Sequence, residues 1–188
     1  MSIPIKQKAV YDDLHDLPEN TTGEIIEGEL YAFPRPHYRH ANTLSVLSSE
    51  LIPPYRFGRG GGPGGWVIIV EPEVMLGENL LVPDITGWKQ ERLTVNPQEN
   101  WIAVVPDWVC EVLSPGTFLH DRTRKMDIYA RHGVPYLWFI DPVARLLETF
   151  KLEKDKWLVM KNYAGDEKVQ AEPFQEIELD LSRLWWTD

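Results

Sequence analysis

Two carboxylates and one ammonium, each in apolar surroundings, are the residues of this chain best suited to chemistry. Asp84 follows Pro83 at the end of an apolar run, Glu111 lies near the end of the run Trp108-Val109-Cys110-Glu111-Val112-Leu113, and Lys125 falls on the helical pattern that follows. Both runs read as β-strands. Neighbouring strands lie about 4.8 Å apart, so carboxylates at adjacent strand ends can share one ion whose oxygen ligands sit about 2.1 Å away. Two such acids and a nearby ammonium are the minimum set for holding Mg²⁺ or Mn²⁺ and hydrolysing a phosphodiester. An acid inside an apolar strand is costly without a cation or hydrogen bonds, so Glu111 needs a compensating partner. A lone Pro-Asp is more readily a loop cap or salt bridge, whereas Glu111 between Cys110 and Val112 is harder to explain that way.

Lys125 has two readings open to it. It lies four residues after Asp121, the spacing of an exposed ion pair worth roughly a few tenths of a kcal/mol. It also lies about 40° from Tyr129 on a helical wheel, at the margin of the stripe Leu119, Met126, Tyr129 and Ala130. From there a lysine can bury its stem and reach the carboxyl edge of a sheet.

A framework of strands and helices must place these groups. Asp12 to Pro18 reads as a short turn or helix, and Glu24 to Phe33, alternating around Glu27-Gly28, as a hairpin. Apolar residues at Ala41, Leu44, Val46, Leu47 and Leu51 predict a helix of about four turns from His37, stopped by Pro53-Pro54. Trp66 to Leu76 and Leu81 to Trp88 read as hairpin partners across Gly77 to Asn79. Asp107 to Leu113, nearly continuous in apolar character, reads as a central strand, and Lys89 to Pro106 as loop. Ser114-Pro115-Gly116-Thr117 breaks the sheet, Phe118 to His132 forms a helix ended by Gly133, and Tyr136 to Ile140 is the next strand. That order predicts a crossover with the two strands parallel. Beyond Asp141-Pro142, Leu146 to Leu152 and Trp157 to Tyr163 form a hairpin across a charged tip. Ile177, Leu179, Leu181, Leu184 and Trp185 then pack back as a strand and short helix.

At 188 residues the chain reads as a single domain, 1–188, made of an N-terminal turn and hairpin (1–36), a core (37–141) and a β-rich C-terminal extension (142–188). A composition of 43% hydrophobic and 26% charged residues, with eight tryptophans, is that of a folded protein rather than a disordered one. The single cysteine, Cys110, excludes an internal disulfide and a cysteine-based zinc cluster, and its apolar run makes it a buried hydrophobe. Met1 to Gln7 lacks an apolar core of signal-peptide length. No stretch approaches the roughly 18 apolar residues of a membrane span, so the expected setting is cytoplasmic, with no membrane partner.

A formal net charge of −10 argues against a broad basic surface that binds DNA without selectivity. Basic residues nevertheless cluster at Arg35, His37, Arg39 and His40, at Arg56 and Arg59, and at Arg122, Arg124, Lys125, Arg131 and His132. Phosphate contacts are expected there, with His40, Arg35, Arg59, Arg122 and Arg124 as the substrate-binding candidates.

Rival chemistries fit less well. Phe57 to Gly65 holds six glycines but lacks the Gly-Lys-Ser/Thr ending of a phosphate-cradling loop. His120-Asp121 superficially matches the paired ligands of HD phosphohydrolases, yet the other histidines lack the context. His37 and His40, three residues apart, form a conceivable metal pair, with a surface or DNA-facing role the stronger reading. Ser114 lacks a Gly-x-Ser-x-Gly elbow and reads as a cap of the turn into the helix.

The chain resembles the Uma2-like family, formerly a domain of unknown function, within the PD-(D/E)XK nuclease superfamily. The resemblance rests on Tyr11 to Leu17, Glu24-Ile25-Ile26-Glu27-Gly28-Glu29-Leu30, Pro36 with His40, Pro83-Asp84, and the block Pro106 to Leu152. Within that block Glu111-Val112-Leu113-Ser114-Pro115, Asp121, Lys125, Tyr129, Gly133-Val134, Tyr136, Trp138 and Asp141-Pro142 keep the family's order and spacing. The resemblance implies an α/β (α+β) fold, a restriction-endonuclease-like central mixed sheet flanked by helices, here with an additional C-terminal β-hairpin. It implies Asp84 and Glu111 as ligands of Mg²⁺ or Mn²⁺, with Glu73 as a further ligand. It also implies that the catalytic lysine, usually two residues after the glutamate, has moved from that position, here Leu113, to Lys125 on the next helix. Asp84, Glu111 and Lys125 are then the catalytic set of an endonuclease acting on nucleic acid, DNA foremost, and a homodimer is the natural form for cutting both strands of a duplex.

The alternative is a non-catalytic binding or dimerisation module that keeps the nuclease fold. The acidic charge and the tryptophans favour it, and the intact set of two acids and a lysine opposes it.

Overall fold

Alternating apolar residues build three sheets in the computed structural model, which describes residues 8–186. Residues 1–7, where the sequence shows no signal-peptide core, lie outside the described residues. A short 3-10 helix, Tyr11–Asp16, leads into the expected hairpin, β1 (Thr21–Ile26) and β2 (Glu29–Pro34). Helix α1 (Tyr38–Phe57) follows. Pro53 and Pro54 lie inside it and do not stop it, which corrects the sequence expectation. The proline ring fixes φ near the helical value, so the cost is lost hydrogen bonding and crowding rather than a forbidden backbone. It is offset by burial beyond the prolines, where Pro54 and Tyr55 are buried and the Tyr55 ring lies 4.5 Å from that of Phe174. The helix ends where Gly58 adopts a left-handed conformation, φ +64°.

The long hairpin expected over residues 66–88 is divided. β3 (Trp66–Val70) pairs with β6 (Ile85–Lys89), whereas β4 (Val74–Leu76) and β5 (Asn79–Leu81) pair with each other in a different sheet. The break falls where Glu71, at φ +48°, precedes Pro72, and where Pro83 precedes Asp84. It transfers the chain from the six-stranded sheet that holds β3 and β6 to a four-stranded one ordered β2-β1-β5-β4, and leaves Glu71 and Asp84 at the junction.

The six-stranded sheet contains β7 (Trp108–Val112), β8 (Tyr136–Asp141), β9 (Leu146–Glu153) and β10 (Lys156–Ala164). β7 and β8 are parallel, as the crossover predicts, and every other pairing in this sheet is antiparallel. The C-terminal hairpin extends the sheet by pairing β9 with β8. The chain closes with β11 (Lys168–Val169), β12 (Leu179–Asp180) and a 3-10 turn, Leu181–Arg183. Thr43 donates to the Leu184 carbonyl at 2.8 Å and ties this tail to α1.

One face of the large sheet packs Trp66, Trp108, Cys110 and Trp138 against α1 and the tail; the other packs Val109, Leu113, Leu137 and Phe139 against the crossover helix. Gly87 lets two indoles close over β6, because a Cβ there would lie 3.2 Å from Trp108 and 3.3 Å from Trp66. The crossover comprises α2 (Phe118–His120), a π-helical turn (Asp121–Lys125) and α3 (Met126–Arg131), and Gly133 follows at φ +77°. The π turn shifts the helical register. Leu119, expected in the buried stripe, is therefore exposed, while Asp121, Lys125 and Tyr129 turn inward together. Among the described residues, no helix is long and apolar enough to cross a membrane.

Candidate active site

Strand pairing and the π turn bring the three residues singled out in the sequence to one cavity of about 70 Å³. β6 and β7 are paired so that Ile85 faces Cys110, which sets Asp84, just before β6, beside Glu111 near the C-terminal end of β7. The Val112 N–H donates to Asp84 Oδ2 at 2.6 Å and locks that junction. The Asp84 N–H points at Glu111 Oε2 from 3.5 Å. Lys125 donates from the π turn to Glu111 Oε1 at 2.8 Å. Its exposed-pair reading is therefore excluded: Asp121 is near it, at 3.7 Å, but both side chains are buried.

Three further groups complete the cluster: His40, a substrate-binding candidate in the sequence that lines the cavity, and Glu24 and Tyr129, to which the sequence reading assigned no role. Glu24 on β1 is buried, takes the other side of Lys125 at 3.0 Å, lies 3.1 Å from His120 Nε2, and accepts the Val82 N–H at 2.8 Å. Tyr129 donates to Glu111 Oε1 at 2.5 Å. His40, near the start of α1, lies 3.1 Å from Asp84 Oδ1 through Nε2, while its Nδ1 is buried without a hydrogen-bond partner among the described residues. Glu24 carried a legible signal, the same one that exposed Glu111: an acid beside Ile25 and Ile26 in a strand.

Glu73 is not brought to the cavity. It accepts a hydrogen bond from Tyr11 at 2.7 Å and lines a neighbouring groove, and the acid from that stretch which lines the cavity is Glu71. The arginines expected at substrate are also apart from it. Arg35 lines an adjacent groove with Glu71, and Arg122 is ion-paired with Glu148, its guanidinium 4.8 Å over Phe139. Arg59 follows the far end of α1, which at 1.5 Å per residue is on the order of 25 Å from His40. Arg124 is exposed and stacks 5.3 Å over Tyr31.

The electrostatics follow from crowding four buried or half-buried acids around one ammonium. Burial lifts the Glu111 carboxyl well above the usual range, and the charges of Asp121, Asp84 and Glu24 lift it further, against the pull of Lys125. Burial works against the Lys125 charge, but Glu111 and Glu24 outweigh it and hold its pKa well above the ordinary lysine value. Glu24 is lowered: burial opposes its charge, and Lys125, His120 and the Val82 N–H prevail. Asp121 is raised by burial. Burial lowers His40, and Asp84 more than restores it.

Among the described residues, no three His, Cys, Asp or Glu side chains form a protein-only metal cage. The donor chemistry nonetheless fits Mg²⁺, which takes one or two carboxylates and completes its shell with water and phosphate. Among the described residues, both Glu111 donors at hydrogen-bond distance use Oε1, and Oε2 has only the long contact with the Asp84 N–H. Surplus negative charge around a buried acid is the environment a divalent cation relieves.

Residues 11–182 match the family model Uma2, described as "Putative restriction endonuclease". Among solved structures, the chain is similar to one described as a putative nuclease belonging to DUF820 from Anabaena variabilis ATCC 29413, with 24% sequence identity and a TM-score of 0.74. The match covers 97% of this chain and 98% of that one, and at this identity it is a likeness of fold. No curated protein matches the chain.

Proposed function

The chain belongs to the Uma2 family, and from that premise we propose that it is a divalent-metal-dependent endonuclease that hydrolyses phosphodiester bonds in DNA. The observation that carries this reading is the meeting of Asp84, Glu111 and Lys125 in one cavity at the end of β7. Asp84 and Glu111 would hold Mg²⁺ or Mn²⁺. When bound, the ion polarises the phosphoryl oxygen and lowers the pKa of its water, supplying the nucleophile.

The protein side of the reaction follows from the contacts. Lys125, fixed between Glu24 and Glu111, keeps its proton and presents a positive charge to the oxygens on which negative charge builds. Tyr129 holds Glu111 by Oε1 and leaves Oε2 turned toward Asp84. The Val112 N–H fixes one oxygen of Asp84 and His40 the other, so the carboxylate is oriented before substrate arrives. We assign Asp84, Glu111 and Lys125 the catalytic roles, and give Glu24, His40 and Tyr129 the work of positioning them.

The test is plasmid or oligonucleotide cleavage with Mg²⁺ or Mn²⁺, with metal affinity read separately by calorimetry. Asp84→Ala and Glu111→Ala are each expected to lose cleavage and metal binding together. Cleavage that survives either substitution would sink the reading, and a protein that binds no divalent ion would leave the binding-module alternative standing.

A further inference from the structure

The cavity opens onto a row of rings. Phe33 of β2 and His120 line it, with ring centres 4.8 Å apart. Two residues back along β2, Tyr31 turns to the same side. Its ring lies 5.0 Å from that of His120 and 6.5 Å from that of Phe33, to which it is parallel within 8°. Arg124 extends the row, its guanidinium 5.3 Å over Tyr31. Tyr31 and Phe33 are half-buried, Tyr31 packing on the core and donating through its hydroxyl to Glu29 at 2.8 Å, and Arg124 is exposed. A continuous aromatic wall thus runs from the acidic cavity outward and ends in a cation.

We propose that this wall is a base-stacking track and that the cavity acts on single-stranded nucleic acid rather than on an intact duplex. The proposal rests on the nuclease reading above. A duplex binder draws its affinity from many lysine and arginine contacts to phosphate. This chain carries a net charge of −10, its Arg122 is engaged by Glu148, and its Arg59 lies at the far end of α1. Aromatic faces add affinity on top of phosphate contacts, because every base has a face to stack, so a single strand needs fewer basic partners than a duplex whose faces are already covered.

Access points the same way. Glu111 and Lys125 are 2% and 3% exposed, at the floor of a cavity of about 70 Å³. A duplex is stiff over about 150 base pairs and keeps its bases stacked on one another. A single strand can turn one phosphate into the cavity while the neighbouring bases leave their own stack for Phe33 and Tyr31, with His120 set behind them on Glu24.

Tyr31 is the reporter, because it stands outside the cavity lining. The probes are labelled oligo(dT), oligo(rU) and a duplex of equal length, with binding read by fluorescence anisotropy in EDTA so that it does not depend on hydrolysis. One single strand at least should bind more tightly than the duplex, and the stronger of the two identifies the sugar. Tyr31→Leu, which keeps apolar bulk and removes the ring, should weaken that binding by roughly five- to a hundred-fold, and Tyr31→Phe should retain it. Equal or tighter binding of duplex, or no effect of Tyr31→Leu in a variant with wild-type circular dichroism, would overturn the track. Cleavage separates the two proposals. Duplex cut in an Asp84-dependent, Tyr31-independent way leaves the nuclease and removes the track; single strands bound through Tyr31 but never cut with Mg²⁺ or Mn²⁺ do the reverse.

Discussion

The two faces of β7 show what burial can be used for. On one, Trp108 packs edge-on to Trp138 and Phe174, with ring centres 5.2 and 4.7 Å away, and Cys110 fills the space beside them. On the other, Val109 and Leu113 flank Glu111, which meets Lys125, Tyr129 and the Asp84 N–H. All five residues are almost fully removed from water. The aromatic face gains stability from the apolar area it buries, less the cost of the Trp108 Nε1–H, which among the described residues has no hydrogen-bond partner. The acidic face gains little, since desolvating charges cancels much of their attraction, and what it holds instead is a set of groups whose charges are ready before substrate arrives.

The sharpest break of that comparison is at the cavity. Asp84→Ala removes half the proposed metal shell, so cleavage should fall by several kcal/mol of transition-state stabilisation, on the order of a thousand-fold or more, while stability falls less than in Trp108→Ala, the loss being that of the partner of the Val112 N–H and of His40. Trp108→Ala is the mirror image. It should cost about 3–5 kcal/mol of stability in a urea titration, and whatever protein remains folded should bind Mn²⁺ with wild-type affinity by calorimetry. If Trp108→Ala abolished metal binding in the folded fraction, the two faces would be coupled and the comparison would fail.

The contrast also separates what the sequence disclosed from what it did not. Residue-to-residue patterns reached the hairpin β1–β2, the parallel pair β7 and β8, and the buried acid Glu111, because an apolar strand or an acid within one leaves a local trace. They failed where tertiary contacts override local rules. Pro53 and Pro54 read as a stop because the packing of Tyr55 beyond them is not local. The π turn is invisible to a regular helical wheel, and it is what turns Lys125 inward and Leu119 outward. Glu73 and Glu71 are two residues apart in a strand pattern, and only the break at Glu71 decides which of them lines the cavity. Glu24 had a signal as strong as that of Glu111, but its partner Lys125 lies about a hundred residues along the chain, and nothing local in the sequence ties the two together.

A milder change tests whether the acidic face is built at the expense of stability. Glu111→Gln keeps the shape and can still accept from Tyr129, and Lys125 retains Glu24 at 3.0 Å and Asp121 at 3.7 Å, so no charge is left unpaired. The metal-free variant should be as stable as wild type or up to about 2 kcal/mol more stable, with metal affinity lost. A loss of stability like that of Trp108→Ala would mean that Glu111 holds the fold together.

The smallest effect, and the most specific to the cluster, is in pH dependence. Glu24 sits below its ordinary value of 4.5 because Lys125, His120 and a backbone N–H stabilise its charge against burial. The folded protein therefore releases that proton more readily than the unfolded chain. The stability Glu24 contributes is present in full above about 4.5 and lost as pH falls through its folded value. Glu111 has the opposite sign: its folded carboxyl is raised, so its contribution is present at acid pH and lost as pH rises through that higher value. Urea midpoints measured against pH without metal should show both slopes. Glu24→Gln should flatten the acid limb and, by removing a charge that lifts Glu111, shorten the limb above it, whereas Glu111→Gln should remove that upper limb and leave Glu24 its lysine. A Glu24→Gln profile parallel to wild type on the acid side would mean that Lys125 is not shared, and the four acids around it would then have to be reapportioned.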